Sequence, residues 1–600
     1  MPIATPRLVA GVGAATLALL AAALPATSAD AATSAANPAP PATVSGKLLS
    51  FNDFHGAIDP PTGSGATVLT PSGAVPAGGV EYLAHLIKQL RTQAEQTTAN
   101  VYTVAAGDLV GATPLVSAAF HDEPSVEEMN SLGLDVTSVG NHEFDEGIDE
   151  LLRLQNGGCH PTDGCQDGDG FDGADYPMLA ANVVKKSNGK PILPAYKVRK
   201  VGKVDVGFVG MTLEGTPSIV NPNGIQSVNF LDEVETANRY AAELKAKGVH
   251  AIVLLLHEGG AQSAPVNDPS GCNGFSGAVT DIVKGLDPAY GVVISGHTHQ
   301  PYVCSLPDSA GQPTLVTSAG NNGRLVTDVD FTLSTSTGAF VTAGATNKVV
   351  VNGVQNPNGT WQSTAPGVFV HDPALVDPAA KAIADKYRTA VAPLANRVVG
   401  TISADITTGA ASNGESALGD VIADGMVGYS TPAAPSFAIM NPGGIRASLT
   451  YGSSAGGEAP GQVTYGEAFT VQPFNNLVVT RTYTGAQVKE VLEQQWAGYL
   501  GQTGTKILQV SKELTYSYDT RQALGQRVSG IAVNGTPLDP AGSYNVTMND
   551  FLAAGGDGFT TLRIGANPVY APGFDVDSLT AYLATGPVGP GPRDRITKIG

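Results

Sequence analysis

Five apolar runs in this 600-residue chain each end in side chains that can ligate a metal ion. "LLSFNDFHG" supplies Asp53 and His55, "VYTVAAGD" supplies Asp108, and "DVTSVGNHEFD" supplies Asn141 and His142. "AIVLLLHEGG" supplies His257, and "GVVISGHTHQ" supplies His297 and His299. Carboxylates and imidazoles together suit borderline divalent cations such as zinc, manganese or cobalt. An Asp can bridge two such ions, and an Asn oxygen is a ligand that adds no charge. Two ions about 3.5–4 Å apart could clamp an attacking hydroxide and a phosphoryl oxygen. One strand-end His or Asp is ordinarily a turn or cap residue. Five in order, each behind an apolar strand, are not explained that way.

Within "GNHEFD", His142 stands three residues before Asp145. At a helix start this spacing lets one ring nitrogen donate to the carboxylate while the other faces a substrate. The Asp then favours the protonated imidazole, which can stabilise charge developing on an oxygen. Glu143 and Phe144 are read as scaffold. His85, His121, His160, His250 and His371 lie outside the five segments and are read as surface or structural.

Segments spread over some 250 residues can meet only if their strands lie side by side and end on one edge, as in open α/β sheets. Between about 44 and 335 short apolar strands alternate with helical patterns such as "VEYLAHLIKQLRTQAEQ" and "EVETANRYAAELKAKG". That rhythm predicts an α/β sandwich with helices outside the sheets. Residues 333–366 have β and turn character. Ile383, Tyr387, Val391 and Leu394 then recur at helical spacing, predicting an amphipathic bridging helix over 371–397. A second α/β unit starts near 398. Six hundred residues exceed one core, so two or more domains are expected.

The N-terminus predicts a secretory signal over residues 1–31, cut near Ala29 to Ala32, followed by a loose leader over 32–43. No second long apolar segment follows, so the mature chain is expected to be exported without a membrane anchor. Its four cysteines suit an oxidising compartment. Three pairings are open, and proximity favours Cys159–Cys165 with Cys272–Cys304. The acids of "DGCQDGDGFDGAD" miss EF-hand spacing, which predicts a solvated, disulfide-pinned loop with weak calcium binding as the minor option. A net charge of −20 disfavours a nucleic-acid polymer or an anionic membrane as a general partner. A small anionic substrate would need local cations. Nothing in the sequence fixes an oligomeric state.

"NDFHG", "GD", "GNHEFD", the isolated strand-end His and "GHTH" resemble the calcineurin-like metallophosphoesterase signature. "NPGGIR", "QPFNN" and "FLAAGGDGF" resemble the C-terminal domain of bacterial and animal 5′-nucleotidases, which include periplasmic UDP-sugar hydrolases. The resemblance implies a four-layer αββα metallophosphoesterase domain over 44–370, a linker helix over 371–397 and an α/β substrate-binding domain over 398–600. It implies two divalent ions, one on Asp53, His55, Asp108 and His299, the other on Asp108, Asn141, His257 and His297. Many relatives carry Gln where this chain has His299. His142 and Asp145 match the family's catalytic pair.

In the second half the resemblance places Gly444 and Arg446 of "NPGGIR" on the substrate, with Arg446 forking onto a phosphate. Asn441 touches the nucleoside, and Asp557 accepts from ribose hydroxyls. Phe474 and Phe551 sandwich the base, a contact worth about 1–3 kcal/mol, and Asn476 of "QPFNN" completes the set. Relatives commonly carry an Arg before the "ES.LG" segment, where this chain has Ser412 and Asn413. The implied activity is hydrolysis of nucleoside 5′-monophosphates by a secreted enzyme, a metal-activated hydroxide attacking phosphorus. The alternatives are a UDP-sugar hydrolase, a 2′,3′-cyclic-nucleotide phosphodiesterase with 3′-nucleotidase activity, or a nucleotide-binding protein or adhesin without catalysis.

Overall fold

The computed structural model describes residues 42–600 apart from 366 and 455. The expected signal segment with its cleavage near Ala29 to Ala32 lies outside the described residues, as does the leader up to residue 41. The first strand begins at Thr43.

Two six-stranded sheets dominate the first half. One has the order Phe340–Val349, Leu325–Ser334, Thr43–Phe51, Val101–Ala106, Val136–Ser138, Met178–Leu179, its last four strands parallel. The other has the order Pro301–Pro307, Pro313–Ala319, Tyr290–Ser295, Ala251–His257, Val204–Thr212, Tyr196–Val201, parallel except at its two edges. Leu48, Val104 and Val136 of the first sheet pack between the sheets against Phe208, Val253, Leu255 and Ile294 of the second. On the outer face of the second sheet, Ile252, Leu254 and Leu256 meet Ala241, Leu244 and Val283 of the helices Glu233–Ala246 and Ala278–Gly285. Leu49 and Phe51 turn the other way, joining Leu83 and Ile87 of helix Val80–Glu95. The result is four layers, αββα. Side chains alternate along a strand, so a strand covered on both faces must be apolar throughout. "AIVLLL" is such a run, and each fully buried Leu contributes about 1.5–3 kcal/mol.

The bridging helix spans Pro378–Ala395. Asp377 caps it by accepting from the Ala379 and Ala380 amides, and Pro378 occupies the first turn, where no N–H is needed. Its buried stripe is Ala380, Ala384, Tyr387 and Val391. The expected stripe is therefore corrected: Ile383 is only half-buried, and Leu394 is 40% exposed beside Pro393. The Asp-rich loop also departs from expectation. Both disulfides pair as proximity favours, Cys159–Cys165 and Cys272–Cys304. The loop is not solvated throughout, because the Asp167 side chain is 2% exposed, 2.7 Å from Lys386 Nζ, and accepts from the Tyr387 hydroxyl at 3.1 Å. The loop thus clasps the bridging helix.

Beyond the helix, a five-stranded sheet has the order Gln509–Val510, Phe437–Met440, Ser543–Asn549, Leu477–Thr484, Ala566–Phe574. Helix Ala417–Tyr429 buries Leu418, Ile422 and Met426 in the same apolar cluster that holds Tyr387, Leu83 and Phe51. One continuous core therefore runs from the first half through the bridging helix into the second.

Candidate active site

The parallel strands of both sheets deliver their chemistry at their C-terminal ends. Asp53 follows Phe51, Asp108 follows Ala106, Asn141 follows Ser138, His257 ends its own strand, and His297 follows Ser295. Asp53, His55, Asp108, His297 and His299 all adopt positive φ, between 48° and 70°. Non-glycine residues held there carry a conformational cost, and such residues concentrate at functional sites. Gly140 shows how tight the junction is. A Cβ there would lie 2.2 Å from Asp108 Oδ1 and 2.8 Å from the His257 ring, so only glycine fits.

These ends meet in two groups of ligating atoms, Asp53, His55, Asp108 and His299 in one, Asp108, His257 and His297 in the other. Asp108 belongs to both. His55 Nε2 lies 3.1 Å from His299 Nε2 and 3.6 Å from Asp108 Oδ2. His257 Nε2 lies 2.9 Å from Asp108 Oδ2, His299 Nε2 lies 3.3 Å from Asp53 Oδ1, and Asn141 Oδ1 is 2.9 Å from His297 Nδ1. Two rings are fixed from behind: His55 Nδ1 donates to the Gly111 carbonyl at 2.9 Å and His257 Nδ1 to the Ala106 carbonyl at 2.7 Å. A carbonyl only accepts, so Nδ1 carries a proton in both rings and Nε2 faces the cluster, offering a lone pair when the ring is neutral.

The donor set fits divalent cations. His257 Nε2 is buried and makes no hydrogen bond although Asp108 Oδ2 lies 2.9 Å away, and a cation held by both atoms would satisfy them. Burial pushes His55 down to about 3, whereas at His257 the Asp108 charge outweighs burial and pushes it up to about 10. Glu143 is the support behind Asp108. Its buried carboxylate accepts from the amides of Asp108 at 3.0 Å, Leu109 at 2.8 Å and Gly140. Its place in the sequence suggested scaffold, and its amide bonds define what it holds.

His142 Nδ1 donates to Asp145 Oδ2 at 2.6 Å, and its backbone N–H donates to Asp108 Oδ1 at 2.9 Å. Burial opposes its charge, but Asp145 and Asp108 prevail and raise it to about 9. The imidazole faces a cavity of about 570 Å³ together with Asn141, Asp145 and His297. The same cavity is lined by all seven residues expected on the substrate: Asn441, Gly444, Arg446, Phe474, Asn476, Phe551 and Asp557. Phe474 lies nearly parallel to the His142 ring, centroids 5.9 Å apart, with the Arg446 guanidinium 5.7 Å from its own centroid. Asn441 Nδ2 donates to Asp557 Oδ2 at 2.7 Å, and the Asn476 amide is tied to Asp575 at 3.2 Å.

Several lining residues carried no usable sequence signal. Lys506 pairs with Asp557 Oδ1 at 2.6 Å, and Phe574 adds a further aromatic ring. His121 and His160, read as surface or structural, also line the cleft, their rings stacked 3.7 Å apart. Asn413 donates to Glu415 Oε2 at 2.6 Å and to the Ile596 carbonyl at 2.7 Å.

Comparison with known proteins matches the two halves of the chain in turn. Residues 46–301 match the calcineurin-like phosphoesterase model and residues 398–564 the 5′-nucleotidase C-terminal domain model. The chain is 32% identical to endonuclease YhcR of Bacillus subtilis, over 90% of its own length but 39% of that protein's. It is 33% identical to cell wall protein Lmo0130 of Listeria monocytogenes, over 90% of its own length and 67% of that protein's. The structure of a 5′-nucleotidase precursor from Thermus thermophilus superposes with a TM-score of 0.70 at 26% identity, covering 93% of this chain and 99% of that one. With both domain models matched in order and two α/β halves to correspond, the chain belongs to the 5′-nucleotidase family of calcineurin-like metallophosphoesterases.

Proposed function

We propose that the protein hydrolyses nucleoside 5′-monophosphates to nucleoside and phosphate. The observation that carries this reading is one cavity lined by Asn141 and His297 of the metal-capable cluster, by His142, and by two phenylalanines among amides. Asp53, His55, Asp108 and His299 would hold one divalent ion, and Asp108, Asn141, His257 and His297 the other. Bound there, zinc, manganese or cobalt would polarise phosphoryl oxygens and acidify a water nucleophile. His142, held cationic by Asp145, donates to a phosphoryl oxygen as charge builds on it. Arg446 neutralises a second oxygen, and Phe474 with Phe551 holds the base at the far end. Asp557, oriented by Asn441, accepts from the ribose.

The same reading divides the chain at 44–370, 371–397 and 398–600 and lets the halves close about the bridging helix. Export is supported by the two disulfides and by the Listeria relative's name. No helix among the described residues is long and apolar enough to cross a membrane. Phosphate release from a panel of AMP, UMP, UDP-hexose, a 2′,3′-cyclic nucleotide and a 3′-nucleotide tests the substrate class. The 5′-monophosphates should lead by at least about tenfold in kcat/KM. A preference for the UDP-hexose or the cyclic nucleotide would replace this reading with one of its alternatives, and nucleotide binding without turnover would favour the non-catalytic one.

A further inference from the structure

The metal-capable cluster lies between two cavities, and only one is used by the reading above. The second, about 460 Å³, is lined by His55 and His299 from the cluster and by Thr113, Asn321, Arg324 and Arg446. The first contains the carboxylates of Asp145, Glu146, Asp550 and Asp557; the second contains no Asp or Glu. In a chain of net charge −20 this second cavity is lined by two arginines and no acid.

Arg324 makes the imbalance specific. Its Nε donates to the Asn321 carbonyl at 3.3 Å, its Nη1 to the Gly65 carbonyl at 3.2 Å, and its Nη2 to Asn321 Oδ1. All three acceptors are neutral. A guanidinium has five N–H donors, so two are left over. Burial pulls its pKa down with no carboxylate opposing the shift. Arg446 makes a single 3.5 Å bond, to the Gly443 carbonyl, and the carboxylates that act on it, Asp145, Asp108 and Asp557, are not part of this cavity's lining. Enclosing a cation without a counter-charge is costly, and the cost is relieved when an anion arrives. The planar fork of Arg suits a tetrahedral oxyanion.

We infer that the second cavity is an oxyanion subsite in which Arg324, with Arg446 shared between the cavities, binds a phosphoryl anion beside His299. Its occupant is free orthophosphate or the additional phosphate of a nucleoside diphosphate. Binding of the anion does not depend on the proposed hydrolysis; only the identification of orthophosphate as a product rests on it. In that case nucleoside and phosphate have separate places in the cleft.

The test is an orthophosphate titration of the purified full-length mature protein, with Arg324→Gln and Arg324→Lys as variants. Orthophosphate should raise the thermal midpoint of the wild type, Arg324→Gln should lose most of that shift, and Arg324→Lys should regain part of it. In AMP hydrolysis, Arg324→Gln should weaken inhibition by orthophosphate about tenfold while KM for AMP moves less than about threefold. That outcome with an unchanged ADP-to-AMP ratio of kcat/KM assigns the site to free orthophosphate. A tenfold fall in the ratio assigns it to the extra phosphate of the diphosphate. If thermal shift, inhibition constant and ratio are all the same in wild type and both variants, the subsite is refuted. A wild type that hydrolyses neither nucleotide but keeps an Arg324-dependent thermal shift would overturn the proposed function and leave the subsite standing.

Discussion

The geometry around Asp108 makes its neighbours as consequential as the ligands themselves. Gly140 has no room for a methyl group, since its Cβ would overlap Asp108 Oδ1. Gly140→Ala should therefore displace the shared carboxylate, lower turnover at least about a hundredfold and cost about 1–3 kcal/mol of stability. Metal-restored activity within threefold of wild type would show that the loop accommodates the methyl group. The seven candidate ligands were legible because each follows an apolar strand closely, where backbone geometry and chemistry coincide. Glu143 was legible only as a scaffold residue, because nothing in "GNHEFD" tells that its carboxylate gathers three amides behind Asp108. Lys506, Phe574, His121 and His160 were not legible as a set. They come from separate loops and become neighbours only through the fold.

Among the elements, the parallel strands were read correctly because burial on both faces imposes uninterrupted apolar sequence. The bridging helix was found, but its buried stripe was shifted. Alanine can face a tightly packed neighbour, and a pattern read from large apolar residues overlooked Ala380 and Ala384. The Asp-rich loop is disulfide-pinned and largely exposed as expected, but the burial of the Asp167 side chain was not legible because its partners, Lys386 and Tyr387, lie some 220 residues away. Helix Glu123–Leu132 packs beneath the bridging helix and carries Glu128, whose buried carboxylate has no hydrogen-bond partner. Burial, with Glu81 adding to it and Arg388 opposing, pushes Glu128 up to about 9; Asp377 and Glu127 also raise it. Between the ordinary carboxylate range and pH 9 the folded chain keeps a proton that the unfolded chain releases. Stability at this residue therefore falls as pH rises. Relative to wild type, Glu128→Gln should gain in melting temperature progressively from pH 5 to pH 9. A difference that does not vary with pH would place the shift elsewhere.

At the scale of the whole molecule, the first half holds the metal-capable cluster and the second half supplies the aromatic wall, and one apolar core joins them. Both halves were legible as α/β units, since each carries its own motifs; their facing across one cavity follows from packing along the bridging helix, which no local pattern encodes. If the second half serves to hold the base, Phe474→Ala should raise KM for AMP by roughly 5- to 100-fold, in line with one stacked base. It should leave hydrolysis of a base-free phosphate ester such as ribose 5-phosphate nearly unchanged; equal losses on both substrates would argue against stacking. The central claim is that Asp108 is the shared ligand of a metal centre that performs the hydrolysis. It is tested most directly by phosphate release from AMP after chelation, with zinc, manganese or cobalt restored to wild type and to Asp108→Asn. The account predicts that chelation abolishes turnover, that at least one ion restores it in the wild type, and that Asp108→Asn stays at least about a hundredfold lower with every ion. Undiminished turnover by the chelated wild type, or full recovery by Asp108→Asn, would contradict it.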